Sequence, residues 1–91
     1  MACESLIYRG VDSSKWACVK DGVSRAYGLS IDSDLGEASE RGFTLKWRYD
    51  ASEQSLVVQC TKKPFVVSCG MVKNRLTDEF KKCGIPAPDR A

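Results

Sequence analysis

The residues with the clearest potential for chemistry are the five cysteines, Cys3, Cys18, Cys60, Cys69 and Cys83. Their odd number, the lack of a C-x-x-C spacing and the absence of histidine fit neither a disulfide framework nor a zinc site. Without histidine the chain also lacks Ser-His and Cys-His nucleophile pairs and the usual general base near neutral pH. The sequence therefore predicts no conventional hydrolase, no metal and no cofactor.

Cys69 is the best thiol candidate because it falls in the first turn of a predicted helix. At that place the helix dipole and the free N–H groups lower the pKa of a thiol. Cys60 ends the buried face of a predicted strand, so the two sulfurs could be neighbours in space. The alternative is that both are small apolar core residues, as most free cysteines are. A thiol-dependent redox protein or enzyme using Cys69 is therefore kept as an alternative function.

A cluster of carboxylates in the middle of the chain could supply oxygen ligands to a hard cation. Its members lie within nine positions and are Asp32, Asp34, Glu37 and Glu40. Gly36 does not stand where an EF-hand loop needs its glycine, and the ligand spacing is absent. A solvated loop is the expected structure.

Basic residues could form a patch on the open face of a sheet, which would make the protein a weak nucleic-acid binder. The candidates are Lys46, Arg48, Lys62 and Lys63. An RNA-binding sheet carries aromatic side chains between its basic residues. Here the alternation places Phe43, Trp47 and Tyr49 on the opposite side, and the net charge is only +2. Nucleic acid is therefore not the expected partner.

The elements that would position these residues are best specified between positions 42 and 84. Period-two alternation over 43–49 and 55–61 predicts a β-hairpin with one face on the core. Helical spacing over 68–83 follows, with Ser68 as the N-cap and Gly84 as the stop. The buried helix stripe would consist of Cys69, Val72, Leu76, Phe80 and Cys83.

The first half of the chain is less regular. Asp12-Ser13-Ser14 offers N-cap candidates for a helix that ends at Gly28. The apolar face of this helix would consist of Trp16, Val19, Val23, Ala26 and Tyr27. Residues 29–35 are predicted as a strand, with a helix as the alternative after residue 34. The polar stretch 37–42 is predicted as a turn. Residues 6–8 are either an edge strand or a tether onto the core.

These elements predict a small α+β fold in the order α-β-β-β-α. Both helices lie on one face of a three-stranded antiparallel sheet, which gains a fourth strand if residues 6–8 join it. The 91 residues make a single domain, 1–91, with 1–12 as the tether or edge strand and 85–91 as a C-terminal tail. No apolar run spans a membrane and no secretory signal opens the chain, so the expected location is cytoplasmic unless a signal has been removed.

Short stretches spread over about half the chain carry a resemblance to known proteins. They are Gly42-Phe43 through Trp47-Arg48-Tyr49-Asp50, Gln59-Cys60, Lys63-Pro64-Phe65 and Cys69-Gly70. This pattern resembles a small bacterial family without an established function. The resemblance implies a fold and a bacterial source, and it carries over no active site.

The function expected from the whole sequence is a non-catalytic, cytoplasmic binding or self-associating module. Its partner would be a second copy, another protein or a small ligand. A membrane is not an expected partner. Val57, Phe65, Val66 and Val67 are the expected interface, because a monomer would not fully bury these apolar groups. The alternative is that residues 65–67 fold under the second helix. A cleft near Trp16, Tyr27 and Trp47 could hold an apolar ligand, although these residues are more simply core.

Overall fold

The computed structural model describes residues 3–90 and contains two helices packed on an antiparallel sheet. In chain order the elements are β1 (Leu6–Arg9), α1 (Ser13–Tyr27), β2 (Leu35–Glu40), β3 (Phe43–Asp50), β4 (Ser55–Lys62), α2 (Cys69–Lys82) and β5 (Asp89–Arg90). The strands lie in the order β2-β3-β4-β1-β5, and all neighbouring pairs are antiparallel. The predicted α+β class, with an antiparallel sheet and two helices, is confirmed.

The predicted order α-β-β-β-α describes the run from α1 to α2 but is incomplete, because the sheet also contains β1 before α1 and the two-residue β5 after α2. Residues 6–8 belong to β1, which has β4 on one side and β5 on the other. This stretch therefore joins the sheet as the fourth strand that the sequence allowed, although it is an internal strand and not an edge strand or a tether. Leu6 and Tyr8 are buried, so the strand supplies core side chains. Four residues are too few for alternation in the sequence to reveal an internal strand.

The predicted hairpin is confirmed in β3 and β4, which align Leu45 with Cys60, Trp47 with Val58 and Tyr49 with Leu56. All six of these residues are buried on the face that carries the helices. On that face Trp16 of α1 stacks on Tyr49 with ring centroids 5.0 Å apart. The alternation of the sequence thus predicted the correct inner face.

The prediction for residues 29–42 is wrong. No strand covers residues 29–34. The strand that precedes β3 is β2, which runs through most of the stretch that was predicted as a turn and pairs with β3. The turn itself contains only Arg41 and Gly42, both with positive φ, at 54° and 87°. Such a pair of φ values is typical of a two-residue hairpin whose twist matches that of its strands. β2 is polar and weak in strand propensity, so its pairing with β3 determines its conformation.

Both helices begin at the predicted caps. The Asp12 side chain accepts the N–H of Lys15 at 2.9 Å, and the Ser68 hydroxyl accepts that of Met71 at 3.1 Å. Gly28 ends α1 in the left-handed conformation, with φ of 71°. The helical stripes are shorter than predicted, because Ala26 and Cys69 are exposed.

The segment predicted as a C-terminal tail contributes to the fold up to the end of the described residues. Ile85 is buried, and its N–H donates to the Phe80 carbonyl at 3.1 Å. Asp89–Arg90 then forms β5 against β1. Within residues 3–90, neither helix has the length and apolar character needed to cross a bilayer.

Candidate functional site

Two disulfides pair four of the five cysteines, Cys3 with Cys69 and Cys18 with Cys83. The inference that the cysteines form no disulfide framework is therefore wrong. The paired residues are 66 and 65 positions apart in the sequence, with Cα atoms 5.6 and 5.8 Å apart. No local spacing could have indicated these pairs, since only the packing of β1, α1 and α2 brings them together.

Cys69 stands at the start of α2, as predicted, but its sulfur is bonded to that of Cys3. A disulfide sulfur is not a thiolate, and the thiolate is the nucleophilic form of cysteine. The predicted thiol function of Cys69 therefore first requires reduction of this bond. In the structure the bond joins the segment before β1 to α2.

Cys60 is the free cysteine among the described residues, and its side chain is 3% exposed. Its thiol donates to the Lys62 carbonyl at 3.2 Å, and burial raises its pKa. Cys60 lines one cavity of about 330 Å³ together with Cys3 and Cys69. A buried thiol with a raised pKa is typical of an inert core cysteine.

The predicted basic face is only partly assembled. Lys46 and Arg48 are exposed on the side of β3 opposite the helices, where Glu37 aligns with Lys46. Lys62 ends β4, and Lys63 lies beyond the strand. The β3 aromatics point to the core, and Trp47 is only 6% exposed. This face therefore has no β3 aromatic on which a base could stack.

The four residues of the predicted interface have different environments. Val57 is half-buried on the open face of β4, aligned with Ile7 and Arg48. Phe65 and Val66 are 93% and 73% exposed, in the loop between β4 and α2. Val67 is half-buried beside the first turn of α2. The alternative that residues 65–67 fold under α2 is therefore wrong for Phe65 and Val66, and only Val67 is partly buried.

The strongest candidate for a ligand site is a pocket of about 340 Å³ between the end of α1, the β2–β3 hairpin and the first half of α2. We call it the α1–α2 pocket. Its lining residues are Ala26, Tyr27, Leu29, Glu40, Arg41, Phe43, Leu45, Val67, Met71, Val72, Arg75 and Leu76. Leu29, Leu45 and Leu76 are buried, so they form an apolar floor.

The polar groups of the α1–α2 pocket are Tyr27, Glu40, Arg41 and Arg75. Burial raises the pKa of Tyr27, and the charge of Glu79 acts in the same direction while that of Arg75 opposes it. The Tyr27 hydroxyl is therefore neutral at physiological pH and can donate a hydrogen bond. Glu40 packs against Gly28, at the end of α1. Among the described residues, Arg41 and Arg75 form no ion pair.

The sequence indicated only one residue of this pocket as part of a ligand cleft. Tyr27 lines the pocket, whereas Trp16 and Trp47 are buried and hydrogen-bonded elsewhere. The Trp16 indole N–H donates to Asp34 at 2.8 Å, and that of Trp47 donates to the Ser33 carbonyl at 2.9 Å. The other residues that line the pocket were not predicted as parts of one site, because they belong to elements that are far apart in the sequence.

The carboxylates of residues 32–40 are not gathered around a cation site. Asp34 is held by its bond from Trp16, and Glu37 and Glu40 lie on opposite faces of β2. No three His, Cys, Asp or Glu side chains within residues 3–90 are grouped so that they could hold a metal ion.

Comparison with known proteins yields no match to a family model, a curated protein or a solved structure. The likeness to a small bacterial family therefore stays a prediction.

Proposed function

We propose that this protein is a non-catalytic binding module whose ligand occupies the α1–α2 pocket. The observation that supports this function is an apolar cavity of about 340 Å³ with a few polar groups. Small-molecule sites have volumes from roughly 300 Å³ upward and combine apolar walls with a few polar groups that orient the ligand. The ligand would place an apolar group against Leu29, Leu45 and Leu76.

A thiol-dependent activity has less support than binding. Cys69 is tied to Cys3, and Cys60 is buried with a raised pKa. Both features lower the amount of thiolate, which is the species that attacks substrates and disulfides.

We also infer that the protein works in an oxidising compartment, in place of the predicted cytoplasm. Disulfides form and persist in secreted and periplasmic proteins, and they are rare in the reducing cytosol. The two bridges of this chain support such a location.

The binding function can be tested with the uncharged fluorescent dye N-phenyl-1-naphthylamine. We expect saturable binding to the oxidised protein and a loss of at least about tenfold in affinity for Ala26→Trp. Ala26 is exposed and lines the pocket, so the indole would fill the cavity without replacing a core side chain.

The matched control is Ala17→Trp, an exposed position on the same helix. Ala17 lies nine residues before Ala26, about 13 Å away along the helix axis. This variant should bind the dye like the unmodified protein. Absence of saturable binding, or equal affinity of the two variants, would contradict the proposal.

A further inference from the structure

The loop between β4 and α2 projects apolar side chains into solvent. Phe65 and Val66 are 93% and 73% exposed, and Met71 follows, exposed, in the first turn of α2. We call Phe65, Val66 and Met71 the apolar tip. Large apolar side chains exposed together commonly mark a surface that contacts a protein or a membrane. The near-complete exposure of Phe65 makes this surface a protrusion beside the concave α1–α2 pocket, which Met71 also lines.

The charges around the apolar tip are mostly positive. Between positions 61 and 77 the chain has four basic residues and no acidic one, namely Lys62, Lys63, Lys73 and Arg75. Arg41 adds a fifth, because its turn packs against the base of the loop through Gly42 and Pro64. The acidic residues of this region are Glu40, which precedes that turn, and Glu4, which lines a cavity together with Cys69 and Lys73. No ion pair within the described residues neutralises the five basic groups.

This charge distribution is uneven over the molecule. The chain has 14 basic and 12 acidic side chains, of which five basic and two acidic lie around the tip. The remainder therefore has nine basic and ten acidic side chains and is weakly negative. A negatively charged surface would attract the basic groups around the apolar tip and orient the molecule with the apolar tip toward that surface.

We infer that the apolar tip docks on the surface of an anionic phospholipid bilayer. Phe65 and Val66 would enter the interfacial region while the surrounding lysines and arginines contact lipid phosphates. Exposed apolar side chains with basic neighbours are the two components of reversible binding to such membranes. The earlier expectation of no membrane partner depended on the lack of a spanning segment, which surface docking does not need.

The shape of the tip favours a bilayer over an acidic protein partner. A folded partner would need a cavity complementary to the protruding Phe65, whereas lipid headgroups rearrange around an inserted ring. Three of the five cations are lysines, whose flexible point charges suit a diffuse layer of phosphates. Phe65, Val66, Lys62 and Lys63 do not line the α1–α2 pocket, so variants at these positions test the docking without altering the pocket.

Co-sedimentation of the oxidised protein with vesicles tests this inference. We expect binding to equimolar phosphatidylcholine and phosphatidylglycerol, weaker binding at high salt, and none to phosphatidylcholine alone. Phe65→Ser/Val66→Ser should weaken binding at least about tenfold. Leu35→Ser is the matched apolar control, because Leu35 is also exposed but lies on β2.

Lys62→Gln/Lys63→Gln should also weaken vesicle binding at least about tenfold. Its control, Lys46→Gln/Arg48→Gln, removes the same charge from the open sheet face and should bind normally. Three outcomes would overturn the inference: no binding to anionic vesicles at low salt, equal effects of tip and control variants, or binding of an acidic peptide without any vesicle binding. The uncharged-dye assay reports the pocket separately, so failure of one proposal leaves the other testable.

Discussion

At the scale of single residues, the environment of each cysteine determines its reactivity. Cys69 occupies the helix start that would activate a thiol, yet it is bonded to Cys3. Cys60 is free but buried, and its thiol donates to the Lys62 carbonyl. Burial disfavours the charged thiolate, so the pKa of Cys60 is raised. Cysteine is thus unreactive at Cys69 because its sulfur is in a disulfide, and at Cys60 because its thiol is shielded from solvent.

We expect the oxidised protein to expose one reactive thiol on denaturation, that of Cys60, which reacts slowly while the protein is folded. Because the pKa of Cys60 is raised in the folded state, that state holds the thiol proton more tightly than the unfolded chain does. Its contribution to stability is therefore complete below the unfolded pKa and is lost as the pH rises through the folded pKa.

Alkylation with iodoacetamide followed by mass spectrometry measures both the number of thiols and their rates. Cys60→Ser should show no labelling without a reductant. Labelling of two or more cysteines in the denatured, unreduced chain would contradict the disulfide assignment. A native rate equal to the denatured rate would contradict the burial of Cys60.

At the scale of elements, β2 depends on a close contact between strand and side chain. A Cβ atom added at Gly36 would lie 2.9 Å from Cζ2 of the Trp47 indole. The Trp47 ring is held in place because its indole N–H donates a hydrogen bond to the Ser33 carbonyl. Gly36 therefore allows a polar edge strand to approach the core.

Gly36→Ala should destabilise the protein by roughly 1–3 kcal/mol, because the added methyl displaces the Trp47 ring or β2. Gly22→Ala is the matched comparison, since its added Cβ would meet only Glu79 Oε2, at 3.5 Å. That change removes a glycine from the interior of α1 and should stabilise the protein by up to about 1 kcal/mol. Urea unfolding followed by tryptophan fluorescence measures both; equal stability of the two variants would show that the Gly36 contact is unimportant.

At the scale of the whole molecule, the two disulfides join distant parts of a small core. Cys3–Cys69 ties the chain before β1 to the start of α2, and Cys18–Cys83 ties α1 to the end of α2. A domain of 91 residues buries limited apolar surface, so cross-links that restrict the unfolded chain contribute strongly to its stability.

Cys18→Ser should destabilise the protein by about 4 kcal/mol, the loop-closure entropy of a bridge that spans some 65 residues. Cys18 is exposed, so this replacement tests the bond with little loss of packing. Cys83→Ser removes the same bond and should lower the free energy of unfolding by a similar amount. The double variant Cys18→Ser/Cys83→Ser should be only slightly less stable than either single variant. Urea midpoints measured with and without dithiothreitol provide the check. A midpoint unaffected by reduction would contradict a stabilising role for the bridges.

The sequence by itself determined the β3–β4 hairpin, its inner face and the caps of both helices. Phe43 to Tyr49 alternate with period two, and Ser68 precedes a helical repeat, so neighbouring residues carry these signals. Only the tertiary structure decided the pairing of β2, the internal place of β1 and the two disulfides. The α1–α2 pocket and the exposure of Phe65 also belong to this group. These features depend on contacts between residues far apart in the chain, and in β2 pairing overrides local propensity.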